Sequence, residues 1–319
     1  MAPSLPASAA RALRSGVLCH LAVRASGHPG PHLTPVVYVL DGGALWVTTS
    51  RGSVKARSWR RDPSVAGLVG AGSQAVIFRG RVRTYDALDP LSWPASVAAG
   101  PQIIRAAAAF SLKNARFFAG YAVDATHVPL AWTPPGRVFA RIELSAGKVL
   151  DRQGVIDEWG DWPEGVAYRG SFAGLLPSRG IDVKAPPAIR HAVGAHGEGA
   201  VAVDAGGRIT VLPAAWKRVA HEGVYDAIVP DAVLRLTLAS RDAPAALTVD
   251  RASPWRAADM SGMLLQGPGQ LYSPAETSRG RRALAARVGR DGEGMSLLRI
   301  HPTRVVWWQG WASGTVVAR

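Results

Sequence analysis

Residues 46–57 read Trp-Val-Thr-Thr-Ser-Arg-Gly-Ser-Val-Lys-Ala-Arg, and they concentrate the groups able to do chemistry. Three consecutive hydroxyls, Thr48, Thr49 and Ser50, end an apolar run. Gly52 then turns the chain into a segment of helical character, opened by Ser53 and carrying Lys55 and Arg57. The first N–H groups of a helix lack intrahelical partners and sit at the positive end of its dipole. Hydroxyl donors, a helix start and two cations together suit a phosphate monoester, with Lys as a point charge and Arg as a fork. The same residues also suit a capped surface helix with a solvated basic face.

Other chemistries find less support. The eight histidines show no HExxH or comparable ligand spacing, and the single cysteine, Cys19, excludes a disulfide framework or a cysteine-based metal cage. His20, His32 and His127 serve equally well as structural groups or as acids and bases. There is no GxSxG nucleophile motif. Residues 70–75, Gly-Ala-Gly-Ser-Gln-Ala, read as a turn between strands, because no helix follows to make a dinucleotide fingerprint. Trp159, Trp162 and Trp255 are read as packing residues.

The elements that must hold the cluster in place are mostly strands. Leu18–Arg24 and His32–Leu40 flank a Gly27-His28-Pro29-Gly30 break; Asp41-Gly42-Gly43 signals a hairpin into Ala44–Thr49. Ser53–Arg61 is helical, and Val65–Val69 and Ala75–Tyr85 are strands. Short strands with one brief helix predict a small barrel rather than a βαβ layer. Ser96–Ala122 carries Ile103, Ile104, Ala107, Phe110 and Phe117 at helical spacing. Gly136–Leu144 and Val149–Asp151 return to strand, and residues 152–190, rich in Gly, Pro and Trp, read as a connector.

The chain of 319 residues has length for about two domains. Its later part repeats the earlier weakly: residues 200–212 echo 22–37, residues 244–272 echo the strands at 65–69 and 75–85, and residues 294–308 echo 136–150. The offsets vary, which fits a diverged duplication. Apolar residues make up 48%, against disorder, and no apolar run approaches the ~20 residues that span a bilayer. The first 20 residues lack the apolar core of a secretory signal. With the lone cysteine this predicts a cytoplasmic protein. The net charge of +14 comes from 32 Arg and 5 Lys against 23 acids, spread along the whole chain, so no nucleic-acid groove is expected.

The run GVLCHLAV…GHPGPHLTPVVYVLDGGALWVTTSRGSVKARSWRRDPSVAGLV…AVIFRGRVRTYD resembles the flavin-binding split-barrel superfamily, which holds pyridoxamine 5′-phosphate oxidase-like proteins and deazaflavin-dependent reductases. The likeness covers residues 16–86 well and 136–150 loosely. It implies a mainly β fold of two tandem split β-barrels forming an intrachain pseudo-dimer: residues 1–151 a barrel with an intact phosphate site, 152–190 a connector, 191–319 a degenerate second barrel. It further implies FMN, or alternatively the deazaflavin coenzyme F-420, as cofactor for an oxidoreductase acting on a small molecule. In such proteins the backbone of the strand at His32, Leu33, Thr34, Pro35 and Val36 runs along the flavin ring. The phosphate-binding positions fall on Thr48, Thr49, Ser50, Ser53, Lys55 and Arg57, with Gln74 near a glutamine that some relatives use. Arg51, Arg57, Arg60 and Arg61 would line a channel for the acidic tail of F-420.

Two departures matter. Where the hydroxyl-rich motif should recur, residues 227–233 read Ala-Ile-Val-Pro-Asp-Ala-Val, so one cofactor per chain is expected, walled by the degenerate half. The Arg-rich substrate signature of pyridoxamine 5′-phosphate oxidase itself is missing near the C-terminus, which argues against that activity. In relatives, aromatic and basic residues near the C-terminus reach the partner's flavin; here Arg304, Trp308 and Trp311 hold those places, or else pack the core. A monomer acting as a pseudo-dimer, with no membrane partner, follows. The alternative is a non-catalytic split barrel that sequesters flavin or haem.

Overall fold

A computed structural model describes residues 4–123, 136–151, 154–162, 184–219, 223–230, 242–251, 256–272 and 295–318. His127, Trp255 and residues 231–233 lie outside them. The chain is mainly β. Among the described residues there are fifteen strands and six α-helices, and the strands close into two six-stranded barrels, one after the other in sequence.

The first barrel uses β1 (Leu18–Val23), β2 (His32–Asp41), β3 (Ala44–Ser50), β4 (Ser64–Ala71), β5 (Gln74–Tyr85) and β6 (Arg137–Leu150). The ring runs β1-β2-β3-β6-β5-β4 and closes where β1 pairs with β4, Leu21 opposite Gly67. Gly42 and Gly43, both at positive φ (58° and 74°), make the tight β2–β3 turn that the sequence signals. The interior is apolar: Cys19, Leu21, Val23, Tyr38, Leu45, Val47, Val69, Val76, Phe78 and Ile142 share one core. Gly67 is required there, since a Cβ would sit 2.3 Å from the Phe78 ring. Helix α1 (Ala7–Ser15) covers this core with Ala9, Ala12 and Leu13, and the Leu13 carbonyl accepts a 2.6 Å hydrogen bond from the Tyr38 hydroxyl. The sequence reading missed α1, whose N-cap is Pro6, with no side-chain cap bond to announce it.

Three other expectations need correction. Helix α2 spans Val54–Trp59, shorter than Ser53–Arg61. The stretch read as one helix over 96–122 is three, α3 (Trp93–Ala98), α4 (Gly100–Lys113) and α5 (Ala115–Val123). Pro101 sits in the first turn of α4, where it cannot continue a preceding helix, and the Asn114 side chain bonds back to the Phe110 carbonyl at 2.9 Å. The two strands read at 136–144 and 149–151 are one, β6, which carries the extra residue of a bulge, Ser145, opposite the Arg79–Gly80 step of β5. Within the segment read as connector, β7 (Val155–Gly160) adds to β6, and α6 (Pro187–Val193) packs on the second barrel.

The second barrel uses β8 (His196–Ala205), β9 (Arg208–Val219), β10 (Val224–Pro230), β11 (Asp242–Arg251), β12 (Ser261–Tyr272) and β13 (Met295–Ile300), with β14 (Arg304–Gln309) and β15 (Ala312–Val317) extending from β12. The pairing repeats that of the first barrel and fixes the alignment of the two copies. Gly80 and Gly267 hold the same bulge, each allowing a backbone carbonyl (Glu143 or His301) where a Cβ would lie 2.4 or 2.0 Å from it. Counting outward along the ladders from this pair, Ala22 matches Ala202, Pro35 matches Pro213, Tyr38 matches Trp216, and Ile142 matches Ile300. β6 corresponds to β13 and β14 together.

The barrels pack with the same pseudo-two-fold relation. β2 lies against β11 and β12, and β9 against β4 and β5. Gly30 approaches so closely that a Cβ would fall 2.2 Å from the Ala245 carbonyl oxygen. The Thr248 hydroxyl donates to the Leu33 carbonyl at 2.6 Å, and His20 meets Asp250 at 2.8 Å. Trp159 and Trp162 are both buried, as packing residues should be.

Candidate functional site

The barrel is split at one place, and the site is there. β2 pairs with β3 only from Tyr38 to Asp41; residues 32–37 pair with β1 on one edge and leave the edge toward β3 without ladder partners. Beyond Val47, β3 continues without β2 as partner through Thr48, Thr49 and Ser50, and α2 follows, packed on β1, β3 and β5. Ser53 caps α2, its Oγ accepting from the Ala56 N–H at 3.1 Å and from the Thr49 hydroxyl at 3.1 Å. The Ser50 carbonyl closes the turn by accepting from the Ser53 N–H at 3.0 Å. With only six residues and its cap already satisfied, α2 adds little through its dipole; its contribution is the side chains it carries.

Lys55 is 7% exposed, and its ammonium donates to the Thr34 hydroxyl across the split. Burial first, and the charge of Arg137 second, push its pKa down to about 8. Arg137 is itself pinned by Thr48, to the hydroxyl and the carbonyl at 2.9 Å each. His32 is 8% exposed, and its Nδ1 has no hydrogen-bond partner. Burial holds His32 well below the usual histidine range, and every further charge acting on it, from Lys55, His28, Arg304 and Arg57, pushes the same way. Its ring lies edge-on to His28, centroids 6.1 Å apart.

Arg304 arrives from the other barrel. Its Nη1 lies 2.9 Å from His28 Nδ1 and 2.5 Å from Gln266 Oε1. A guanidinium has no acceptor, so His28 Nδ1 accepts and the ring proton sits on Nε2. Burial, then Arg304 and Arg57, lower the His28 pKa. The result is a pocket of cations and neutral imidazoles in which the charges felt by His32 are all positive. Such a set lacks an anion, and a tetrahedral dianion with several acceptor oxygens answers its chemistry: a charge pair at about 4 Å gives roughly 4 kcal/mol near a protein surface.

The structure therefore brings together Thr34, Thr49, Ser53, Lys55, Arg57, His32 and Arg304, with Thr48 and Ser50 supporting them. Leu33 is fully buried toward the second barrel, its carbonyl already used by Thr248. Pro35 has no N–H to offer. Pro35 and Val36 line the unpaired edge of β2. Gln74 opens β5 at the turn after β4, four strand positions from the Phe78 level that Thr34 shares through β1 and β4, about 13 Å along the strand. Trp308 is four positions beyond Arg304 on β14, again about 13 Å away, and covers Gly262, where a Cβ would lie 2.4 Å from its ring. Trp311 lies past the end of β14, in the turn to β15. Arg51 and Arg60 both turn to Asp86, which is 3% exposed, so two of the four arginines expected to line a channel are already paired. His28, Arg137 and Gln266 were not foreseen; their partners lie far away in sequence, and no local pattern marks them.

The second copy has lost the set. By the same ladder alignment, Thr34 is matched by Leu212, Thr48 by Ile228, Thr49 by Val229, Ser50 by Pro230 and His32 by Thr210. Four hydroxyls have become apolar side chains or proline.

Residues 6–94, just over a quarter of the chain, match the family model described as pyridoxamine 5′-phosphate oxidase. No curated protein matches. Among solved structures, the chain is similar to general stress protein 26 from Bacillus anthracis (13% identity, 49% of this chain and 96% of that one, TM-score 0.32). It is also similar to a FAD-binding protein from Mesorhizobium loti (19%, 49% and 96%, TM-score 0.31). A third is a heme binding protein from Mycobacterium smegmatis (16%, 48% and 58%, TM-score 0.33). The closed six-stranded ring with its opened β2–β3 edge defines the class, a split barrel. Over residues 6–94 the first barrel is similar to the pyridoxamine 5′-phosphate oxidase family. Among the described residues no helix is long and apolar enough to cross a membrane, and no three His, Cys, Asp or Glu side chains gather as a metal site.

Proposed function

We propose that this chain binds one flavin-type cofactor by its phosphate at the split of the first barrel, and that it is an oxidoreductase acting on a small molecule. The observation that carries the reading is the set of cations around the unpartnered His32 Nδ1, buried Lys55 and partly buried Arg304 with Arg57 at the exposed rim, to which both barrels contribute. The residues fit a ribityl phosphate: Lys55 and Arg57 supply charge, Arg304 a fork, and Ser53, Thr49 and Thr34 hydroxyls. The free edge of β2 at residues 34–36 offers backbone groups to the polar edge of a flavin ring, and Leu33 and Gly30 pack directly against the second barrel. When bound, the flavin supplies the hydride chemistry. The protein's part is to hold the phosphate, orient the ring along β2 and keep the site dry.

FMN is the preferred cofactor, and the deazaflavin coenzyme F-420 the alternative, since both present a ribityl phosphate to the same residues. The apolar replacements at Leu212, Ile228 and Val229 support one cofactor per chain, and with both walls in one chain the protein works as a monomer. The test is the visible spectrum of purified protein titrated with each cofactor, followed by anaerobic NADPH. Saturation at one equivalent of FMN or F-420, with bleaching by NADPH and recovery on adding an acceptor, is expected. Binding without turnover toward any acceptor would favour a sequestering role, and a Soret band alone would replace flavin by haem. Neither cofactor binding would overturn the reading.

A further inference from the structure

We propose that Gln266 is the positioning residue of this site: its carboxamide ties the loop that carries His28 and leads into His32 in one barrel to Arg304 in the other, so that both halves face one ligand. The inference rests on the phosphate reading above and adds the group that assembles the site.

Gln266 lies mid-strand on β12 and is 0% exposed. Both amide hydrogens and the carbonyl oxygen of its carboxamide have partners. Nε2 donates to the Gly30 carbonyl at 2.8 Å and the Pro31 carbonyl at 2.9 Å, and Oε1 accepts from Arg304 Nη1 at 2.5 Å. Arg304 Nη1 in turn reaches His28 Nδ1 at 2.9 Å. The glutamine backbone is fixed as well: its carbonyl accepts from the Thr303 N–H at 2.9 Å, next to Arg304. One side chain therefore holds the β1–β2 loop and the direction of the guanidinium. No other neutral side chain of this length both donates two hydrogen bonds and accepts one; carboxylate only accepts, and an apolar residue does neither.

The first copy uses the matching positions differently. Arg79 stands where Gln266 stands, donates to the Thr210 hydroxyl at 2.7 Å and lies over the Trp162 ring at 4.8 Å; Ala146 stands where Arg304 stands. The β1–β2 connection between the last paired residues has eight residues (24–31), against two (206–207) between β8 and β9 in the second copy. The amide, the arginine and the longer loop therefore occur together, and only on the side of the molecule that keeps the hydroxyls.

The test follows the His28 ring by NMR titration in wild type, Gln266→Met, Arg304→Met and the double variant, with no ligand present. The groups facing His28 are Arg304 from β14, Arg57 from α2 and His32 from β2. If Gln266 aims Arg304 at His28, Gln266→Met releases the guanidinium and the His28 midpoint rises toward the ordinary histidine value. Arg304→Met gives the same rise, and the double variant moves no further than either. An unchanged midpoint in Gln266→Met, or additive rises, overturns the proposal. Should Gln266→Met fail to fold, hydrogen exchange of the Gln266 side-chain amide decides: slow in wild type and fast in Arg304→Met is expected, and fast exchange in wild type refutes it. In parallel, FMN and riboflavin are titrated. Gln266→Met is expected to weaken FMN about ten- to hundredfold, the usual range for a supporting residue, and to leave riboflavin unchanged. Wild type binding both equally would refute the phosphate reading alone, since the His28 titration judges Gln266 without any ligand.

Discussion

Replacing Lys55 by methionine should make the empty protein more stable while removing its ligand. Folding buries this ammonium and lowers its pKa from the ordinary 10.5 to about 8, so the folded state favours the neutral amine. Below pH 8 the group is charged in both states, and the shift weighs against folding by about 3 kcal/mol at 1.36 kcal/mol per unit. As pH climbs from 8 to 10.5 the penalty fades, because the unfolded chain then loses its proton too. Methionine fills similar space without the charge, and gives up the bond to Thr34, worth about 1 kcal/mol. The net gain at pH 7 is about 2 kcal/mol. At roughly 2.1 cal/mol/K of unfolding entropy per residue over 319 residues, Tm rises by about 3 °C. Saturating inorganic phosphate, at a hundredfold over its Kd, adds about 2.7 kcal/mol to wild type and nothing to the variant, so the order of stability reverses. Calorimetry of both proteins at pH 7 and 10.5, with and without phosphate, reads all of this. A variant less stable than wild type at pH 7, or a difference independent of pH, would refute the reasoning.

Other perturbations have equally definite outcomes. Ser53→Ala removes the cap of α2 and the partner of Thr49, and should cost about 1 kcal/mol in urea unfolding together with a measurable loss of FMN affinity. Gly30→Ala drives a methyl into the Ala245 carbonyl, so it should lower stability by about 1–3 kcal/mol and weaken ligand binding, because the walls are forced apart; an unchanged Tm would mean the contact is soft. Calorimetric titration with FMN should saturate at one equivalent per chain, and a second equivalent of similar affinity would contradict the reading of Leu212, Ile228 and Val229 as a lost site.

Local signals carried much of the first barrel. Paired glycines announced the β2–β3 turn, β-branched and apolar content announced β2, and the Thr48–Arg57 cluster is where the split opens. Three features stayed hidden for physical reasons. Helix α1 has no cap residue and draws its stability from Tyr38 and the barrel core rather than from its own sequence. The breaks within 93–123 depend on Pro101 and Asn114, whose effect competes with an otherwise continuous helical period. Above all, half of the site is tertiary: Gln266 reads as one polar residue in an apolar strand, and its partners Gly30 and Pro31 are 235 or more residues away. Trp308 and Trp311 were attractive as aromatic stacking residues, yet the strand carries them about 13 Å or more past Arg304, where Gly262 makes room for the first. The duplication shows only faintly in residue identity, but plainly in which strand pairs with which.

The two walls of the site belong to one covalent chain, and that changes how it answers to dilution. A pocket shared between separate subunits disassembles as protein concentration falls, so its apparent affinity depends on how much protein is in the tube. Here Arg304 meets His28 through a unimolecular encounter, at an effective concentration set by the intervening chain rather than by expression level. A few copies per cell would present the same assembled pocket as many.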